Sequence, residues 1–303
     1  MASDAPFHDP LERLDARDPD QVAALFREGA AANCDAACRQ GSVDAVSCEG
    51  TLLATGDLHD NPLHFARVVR RARLDQQERG ARRVILHEVI HSDRLIGDVD
   101  LSHRALLRVA ALKADHPEHV HTLLANHELS QIVGSGIVKD GVRVVDAFNA
   151  GVEQVFGDAA DSVQEAIAEF IRSMPLALVA RNDGRGVLCA HSLPGPEVMD
   201  RFDAAILDRA LEEADYEPRQ GSAHLMVWGR GHKPEQLTML AERWGVSLFV
   251  LGHQKAETGA TVLPPNAIVL NSDHERGVTL PIDLADPPEA QEAAWMTTPL
   301  ATD

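Results

Sequence analysis

The chain alternates short apolar runs with amphipathic stretches. TLLAT (51–55) is apolar, β-branched at its ends and stops at Gly56, the pattern of a buried strand. Asn61 and Pro62 then form an N-cap and first-turn pair, which predicts a helix from about Pro62 to Gln77. The alternation recurs. RRVIL (82–86) reads as a second strand, LSHRALLRVAALKADH (101–116) as an amphipathic helix and HVHTLLA (119–125) as a third strand, followed by a loop, NHELSQ (126–131). A helical stretch spans about 148–173 and stops before Pro175, and GVLCA (186–190) and SLFVL (247–251) are two further strands. Strands alternating with helices predict an α/β layered fold. Upstream, residues 1–48 read as a mostly polar helical extension, with QVAALFREGAAA (21–32) its best helix. The layered unit occupies 49–285, and the Pro- and Ala-rich end, 286–303, reads as a loose tail.

Composition narrows the function. The 303 residues carry a formal net charge of -19, which repels a phosphate backbone and argues against nucleic-acid binding. No apolar run is long enough to span a membrane, and the acidic, polar N-terminus does not read as a signal peptide, so a cytoplasmic protein is expected. Cys34, Cys38, Cys48 and Cys189 fit reduced thiols in that setting; a metal or redox site at Cys34 and Cys38 is the sharper alternative. Oligomeric state is not legible.

The segment ILHEVIHSD (85–93) contains His87-Glu88-Val89-Ile90-His91, which matches H-E-x-x-H. In a zinc peptidase that spacing puts two histidines on one face of a helix, with the glutamate as base. Yet Val84, Ile85, Val89 and Ile90 favour a strand giving way to a loop at Glu88.

The strand ends share a chemistry. TLLAT leads to Asp57 and His59, RRVIL to Glu88, HVHTLLA to Asn126 and His127, GVLCA to His191, and SLFVL to His253. Ligands of open α/β sheets bind at the carboxyl ends of strands. One such histidine is ordinarily a hydrogen-bonded residue with no further role, but five ligand-bearing strand ends point to one site. Two divalent cations about 3.5–4 Å apart can activate water between them and clamp a phosphoryl group. They need a bridging carboxylate, neutral imidazoles and an amide oxygen, and this set supplies that mixture.

These motifs resemble those of the calcineurin-like metallophosphoesterases, in the phosphoprotein (Ser/Thr) phosphatase branch. GDLHD (56–60) resembles the family's G-D-x-H motif, ANHE (125–128) its G-N-H-E with Ala125 for the first glycine, and AHS (190–192) and GHQ (252–254) its third and fourth motifs. FIRSMPLALVARNDGRGVLCAHS, MVWGR and GVSLFVLGHQKAETG resemble the blocks around them. The resemblance implies a two-sheet sandwich flanked by helices, in α-β-β-α layers. It implies two divalent metal ions, Mn first, with Fe, Zn or Co compatible with the mixed O/N donors. Asp57 and His59 would hold one ion, and Asn126, His191 and His253 the other. Glu88 falls where the family's second motif has its bridging aspartate, and His127 where the proton donor to the leaving oxygen stands. The implied activity is in-line attack on phosphate monoesters by a metal-bridged hydroxide, on phosphorylated protein or a small phosphoester.

The second motif departs from the family. His91 stands where the family's aspartate orients the catalytic histidine, and Ser92 where its phosphate-binding arginine stands. Asp93 and Arg94, two residues on, are candidates for both roles from shifted positions; the alternative is two surface charges. His91 is a candidate to orient water or join a metal. Arg230 in MVWGR resembles a further phosphate-binding arginine, suited to a tetrahedral anion by its planar fork of donors. Two other readings stay open: a zinc peptidase built on His87, Glu88 and His91, and a metal-binding relative with weak or no catalysis.

Overall fold

The structure is a computed structural model describing residues 8–12, 14–76, 81–134, 136–139, 141–182 and 185–302. Helix α1 (Pro19–Asp35) leads into strands β1 (Arg39–Gln40), β2 (Val43–Val46) and β3 (Thr51–Thr55). Helix α2 (Pro62–Ala72) and β4 (Arg82–His87) follow, then α3 (His103–Asp115), β5 (Val120–Leu123) and α4 (Asn126–Val133). A small hairpin, β6 (Val138–Lys139) and β7 (Val142–Arg143), precedes α5 (Val144–Phe156) and α6 (Ala160–Ser173). Next come β8 (Ala177–Asn182), β9 (Arg185–Ala190), α7 (Ser222–Val227), α8 (Pro234–Trp244) and β10 (Leu248–Leu251). The chain closes with β11 (Ala260–Leu263), β12 (Ala267–Leu270), β13 (Val278–Asp283), α9 (Ala290–Met296) and β14 (Thr298–Pro299).

Two sheets carry the fold. One has the strand order β1-β2-β8-β9-β10-β12-β11, the other β14-β13-β3-β4-β5. Side chains alternate faces along a strand, and that alternation builds the sandwich. Leu52 and Ala54 of β3, Ile85 of β4 and Leu123 of β5 meet Leu178, Val187, Cys189, Leu248 and Val250 of the other sheet in one buried layer. The opposite parity, such as Val84 and Leu86 of β4, packs under the helices. Helix α1 lies against α3 and α6, where the extension adds Val22, Ala23 and Phe26 to the core. Among the described residues no helix is long and apolar enough to cross a membrane.

The expected strands form, and Asn61 caps α2 by accepting from the His64 backbone N–H at 3.1 Å. Helix α2 ends at Ala72; the expected end at Gln77 lies outside the described residues. Four further stretches differ from expectation. Residues 39–46, expected within a helical extension, form β1 and β2, and β2 pairs with β8 in the larger sheet. NHELSQ opens α4 rather than forming a loop. The stretch expected as one helix over 148–173 is two, starting at Val144 and interrupted at Gly157, whose φ of 53° breaks the helical run. The C-terminal stretch, expected to be loose, is built into the sandwich. Ala290 and Ala293 of α9 are small enough to pack on the inter-sheet layer, β14 pairs with β13, and Leu300 is buried.

Candidate metal centre

Parity brings the site together. Within β4, His87 points to the same face as Ile85, and His191, just past β9, continues the face of Val187 and Cys189. Both therefore emerge at one end of the inter-sheet layer. Asp57 follows β3, Asn126 and His127 follow β5 as the first turn of α4, and His253 follows β10. Strands β3, β4 and β5 run parallel, as do β9 and β10, so their carboxyl ends face the same way within each sheet. His59, Glu88 and His253 each sit in the left-handed region, with φ of 40°, 48° and 66°. Such backbone costs about 1–3 kcal/mol per residue and persists where surrounding structure fixes it, often at functional sites.

Two donor clusters result, with Glu88 between them. Asn126 Oδ1 lies 2.7 Å from His191 Nε2 and 2.9 Å from His253 Nδ1, and the two ring nitrogens are 3.1 Å apart. On the other side, His59 Nε2 and His127 Nε2 lie 3.5 and 3.7 Å from Glu88 Oε1. The second carboxylate oxygen, Oε2, lies 3.5 Å from His191 Nε2. Asp57 stands beside both, its Oδ1 3.6 Å from His191 Nδ1, and both its oxygens accept from the His253 backbone N–H. His59 Nδ1 donates to the Ile90 carbonyl at 3.0 Å, so its Nε2 lone pair faces Glu88. The second anchor of this region is Glu128. Its Oε1 accepts from the N–H groups of Val89 and Ile90, tying α4 to the loop after Glu88.

The electrostatics fit a cation. Burial raises the Glu88 carboxyl well above its ordinary range, and the nearby Asp57 and Glu128 raise it further. Burial likewise raises Asp57, although His59, the His253 N–H and Arg230 oppose the shift. Burial also pushes His191 and His127 well down and His253 down to about 3, a shift that favours the neutral ring, the form that binds metal. A cluster of buried carboxylates and imidazoles with closely spaced acceptor atoms has the donor chemistry to hold a cation. Two groups of three here, Asp57–His87–His191 and His59–Glu88–His127, have ligand atoms within 4.8 Å of one another.

The H-E-V-I-H segment is not the helix a zinc peptidase needs. His87 ends β4, and Glu88 and His91 both have positive φ. The two histidines face different partners: His87 Nδ1 lies 3.2 Å from His191 Nδ1, and His91 Nδ1 lies 3.0 Å from His127 Nδ1. That also corrects the expectation for Asp93, which is exposed and 3.4 Å from Lys139 Nζ; the ring it was expected to orient is met by His91 instead. Arg94 Nη2 donates to the His59 carbonyl at 2.6 Å and to Asp273 Oδ1 at 2.9 Å, which places the guanidinium at the rim, half exposed. Arg230 is exposed, its Nη2 3.4 Å from His253 Nδ1.

No protein-family model and no curated protein matches this sequence. Solved structures match the fold. A protein serine/threonine phosphatase from Saccharomyces cerevisiae, with similarity to a human phosphatase, aligns over 87% of this chain and 82% of its own, at TM-score 0.61 and 14% identity. A cold-active protein tyrosine phosphatase from a psychrophilic Shewanella aligns over 81% and 79%, at TM-score 0.51 and 13% identity. A point mutant of a cold-active protein tyrosine phosphatase aligns over 81% and 79% at TM-score 0.55 and 17% identity. The chain thus has a phosphatase-type two-sheet sandwich fold.

Proposed function

We propose that this chain is a dinuclear-metal phosphoesterase that hydrolyses phosphate monoesters. The position of Glu88 carries the reading. One carboxylate oxygen faces His59 and His127 while the other faces His191, as a ligand shared by two ions requires. Asp57, His59 and Glu88 would hold one ion; Glu88, Asn126, His191 and His253 the other. When bound, such a pair supplies an activated water and Lewis-acid stabilisation of a phosphoryl group. Mn is the first choice, and the mixed nitrogen and oxygen donors also suit Fe, Zn or Co.

The chain's own residues do the rest. His127 Nε2 gives a proton to the leaving oxygen. Arg230, with Arg94, supplies the charge-assisted hydrogen bonds that orient the phosphoryl oxygens. The names of the structural neighbours favour a phosphorylated protein or a small phosphoester as substrate, since both serine/threonine and tyrosine phosphatases share the fold.

The test is metal content together with Mn-dependent hydrolysis of an aryl phosphate, on the wild type and Glu88→Ala. Two ions per chain, with turnover lost in the variant, is the expected result. Bound metal without hydrolysis of any phosphoester would instead favour a binding relative. One ion per chain, unaffected by Glu88→Ala, would sink the dinuclear centre.

A further inference from the structure

A third group of ligand-type side chains lies outside the clusters around Glu88, where Asp44 of β2 in the larger sheet meets His121 of β5 in the smaller. Cys38, Asp44 and His121 each offer one atom, a sulfur, an oxygen and a nitrogen, all within 4.8 Å of one another. Cys38 sits in the turn between α1 and β1. It is half-buried, and its carbonyl accepts from the Ala45 N–H at 2.7 Å. Asp44 and His121 are fully buried, so solvent reaches the group on the Cys38 side.

Asp44 is held from behind. Its Oδ1 accepts from Arg39 Nε at 2.8 Å, and Arg39 Nη1 donates to the Ser173 carbonyl at 2.9 Å, which fixes the guanidinium. Its Oδ2 lies 2.8 Å from His121 Nδ1. The buried ammonium of Lys113 donates to the carbonyls of Pro117 and Val120, at 2.6 and 3.0 Å, so its donors are engaged by backbone oxygens. A second observation comes from His121 itself: its Nε2 is buried and has no hydrogen-bond partner among the described residues. A buried polar atom left unmet costs about 1–3 kcal/mol, a cost that a cation bound to this ring relieves. The other thiols have different surroundings. Cys34 is exposed, Cys48 Sγ donates to the Arg181 carbonyl, and Cys189 lies in the inter-sheet layer. Cys38 is thus grouped with a histidine and a carboxylate rather than with Cys34, its C-x3-C neighbour.

We propose that Cys38, Asp44 and His121 form a mononuclear zinc site, separate from the centre around Glu88. The sulfur, one ring nitrogen and one carboxylate oxygen bind the ion, and a water from the solvent side completes four donors. The Cys38 thiol gives up its proton to solvent on binding, and thiolate and carboxylate then match the charge of a divalent ion. Arg39 on Oδ1 is the outer partner that orients the ligating carboxylate. Without an ion, the hydrogen bonds of His121 and Arg39 hold Asp44 by themselves. The sulfur donor favours zinc over hard cations, whereas the clusters around Glu88 hold no thiol among the described residues. The ion joins the α1–β1 turn, β2 and β5, and so ties the N-terminal extension to both sheets. None of this depends on the phosphoesterase reading.

Cobalt(II) tests the site on the full chain, because a thiolate–cobalt bond gives an intense near-ultraviolet charge-transfer band that nitrogen and oxygen ligands do not. The wild type should show this band, saturating at one thiolate-bound cobalt per chain and lost on addition of zinc. Cys38→Ser, a near-isosteric change at a half-buried position, should abolish it, and Cys34→Ser should leave it intact. His121→Leu should weaken zinc binding by at least the roughly tenfold that loss of an outer partner costs. Zinc should also protect the wild type against urea more than it protects Cys38→Ser. A wild type without the band overturns the proposal, as does a band that survives Cys38→Ser or disappears in Cys34→Ser. Unchanged zinc affinity in His121→Leu overturns it too. Phosphoesterase turnover enters none of these readouts, so the two proposals fail separately.

Discussion

Both carboxylate oxygens of Asp57 accept from the backbone N–H of His253, at 3.0 and 3.1 Å, across 196 positions of chain. Asp57 leaves β3 of one sheet and His253 leaves β10 of the other, so this contact clamps the two sheets where the donor clusters meet. It also separates two jobs of one side chain. Asp57→Asn keeps an acceptor for the N–H but removes the negative charge. The variant should fold, with metal-free stability lowered by about 1 kcal/mol or less, yet lose metal. Thermal unfolding of the metal-free forms and metal content of the loaded forms check the two halves separately.

His127 lies near Glu88 but is assigned to proton transfer rather than ligation. His127→Ala should lower kcat by about 10²–10⁴-fold while leaving metal content near that of the wild type. Loss of an ion from the variant would make His127 a ligand, a role its place in the His59–Glu88–His127 group also allows.

Gly252 precedes His253 where no side chain fits. A Cβ there would collide with Asp57 Oδ1 and the ring of His87. Gly252→Ala should therefore weaken metal binding even though it changes no ligand. An alanine variant with wild-type metal affinity would show that Asp57 and His87 can move aside without consequence.

Asp44, on β2 and outside the two donor clusters around Glu88, gives a pH prediction for the metal-free protein. Burial pushes its carboxyl up, but hydrogen bonds from His121 Nδ1 and Arg39 Nε, both 2.8 Å, outweigh this and bring it down to about 2 from 3.8. The folded value lies below the unfolded one. Its contribution, on the order of 2 kcal/mol, is complete above about pH 4 and is lost as pH falls toward 2. Urea unfolding at stepped pH should show this acid loss in the wild type and a flatter profile in Asp44→Asn. Identical slopes would remove Asp44 from the acid response.

Local pattern made much of this molecule legible. TLLAT, RRVIL and SLFVL declare strands because apolar, β-branched runs bounded by breakers bury well on a pleated surface. Asn61-Pro62 declares a helix start because the cap and the fixed φ act within one turn. NHELSQ reads as a loop because its first residues are polar and suited to ligation, whereas α4 begins at Asn126. Alternation from Ile85 turns His87 inward, a placement that its H-E-x-x-H spacing along the chain does not show.

The sequence by itself determined which residues end the strands and that their side chains suit divalent cations. Only the tertiary structure decided which of them meet. Asn126, His191 and His253 converge because two sheets stack with their strand ends aligned, a relation between segments more than sixty residues apart that no local period encodes. The same packing turned His91, rather than Asp93, toward His127: Asp93 lies on an exposed loop, where its charge stays hydrated beside Lys139, whereas the neutral His91 ring can be buried once Gln131 and His127 satisfy both its nitrogens.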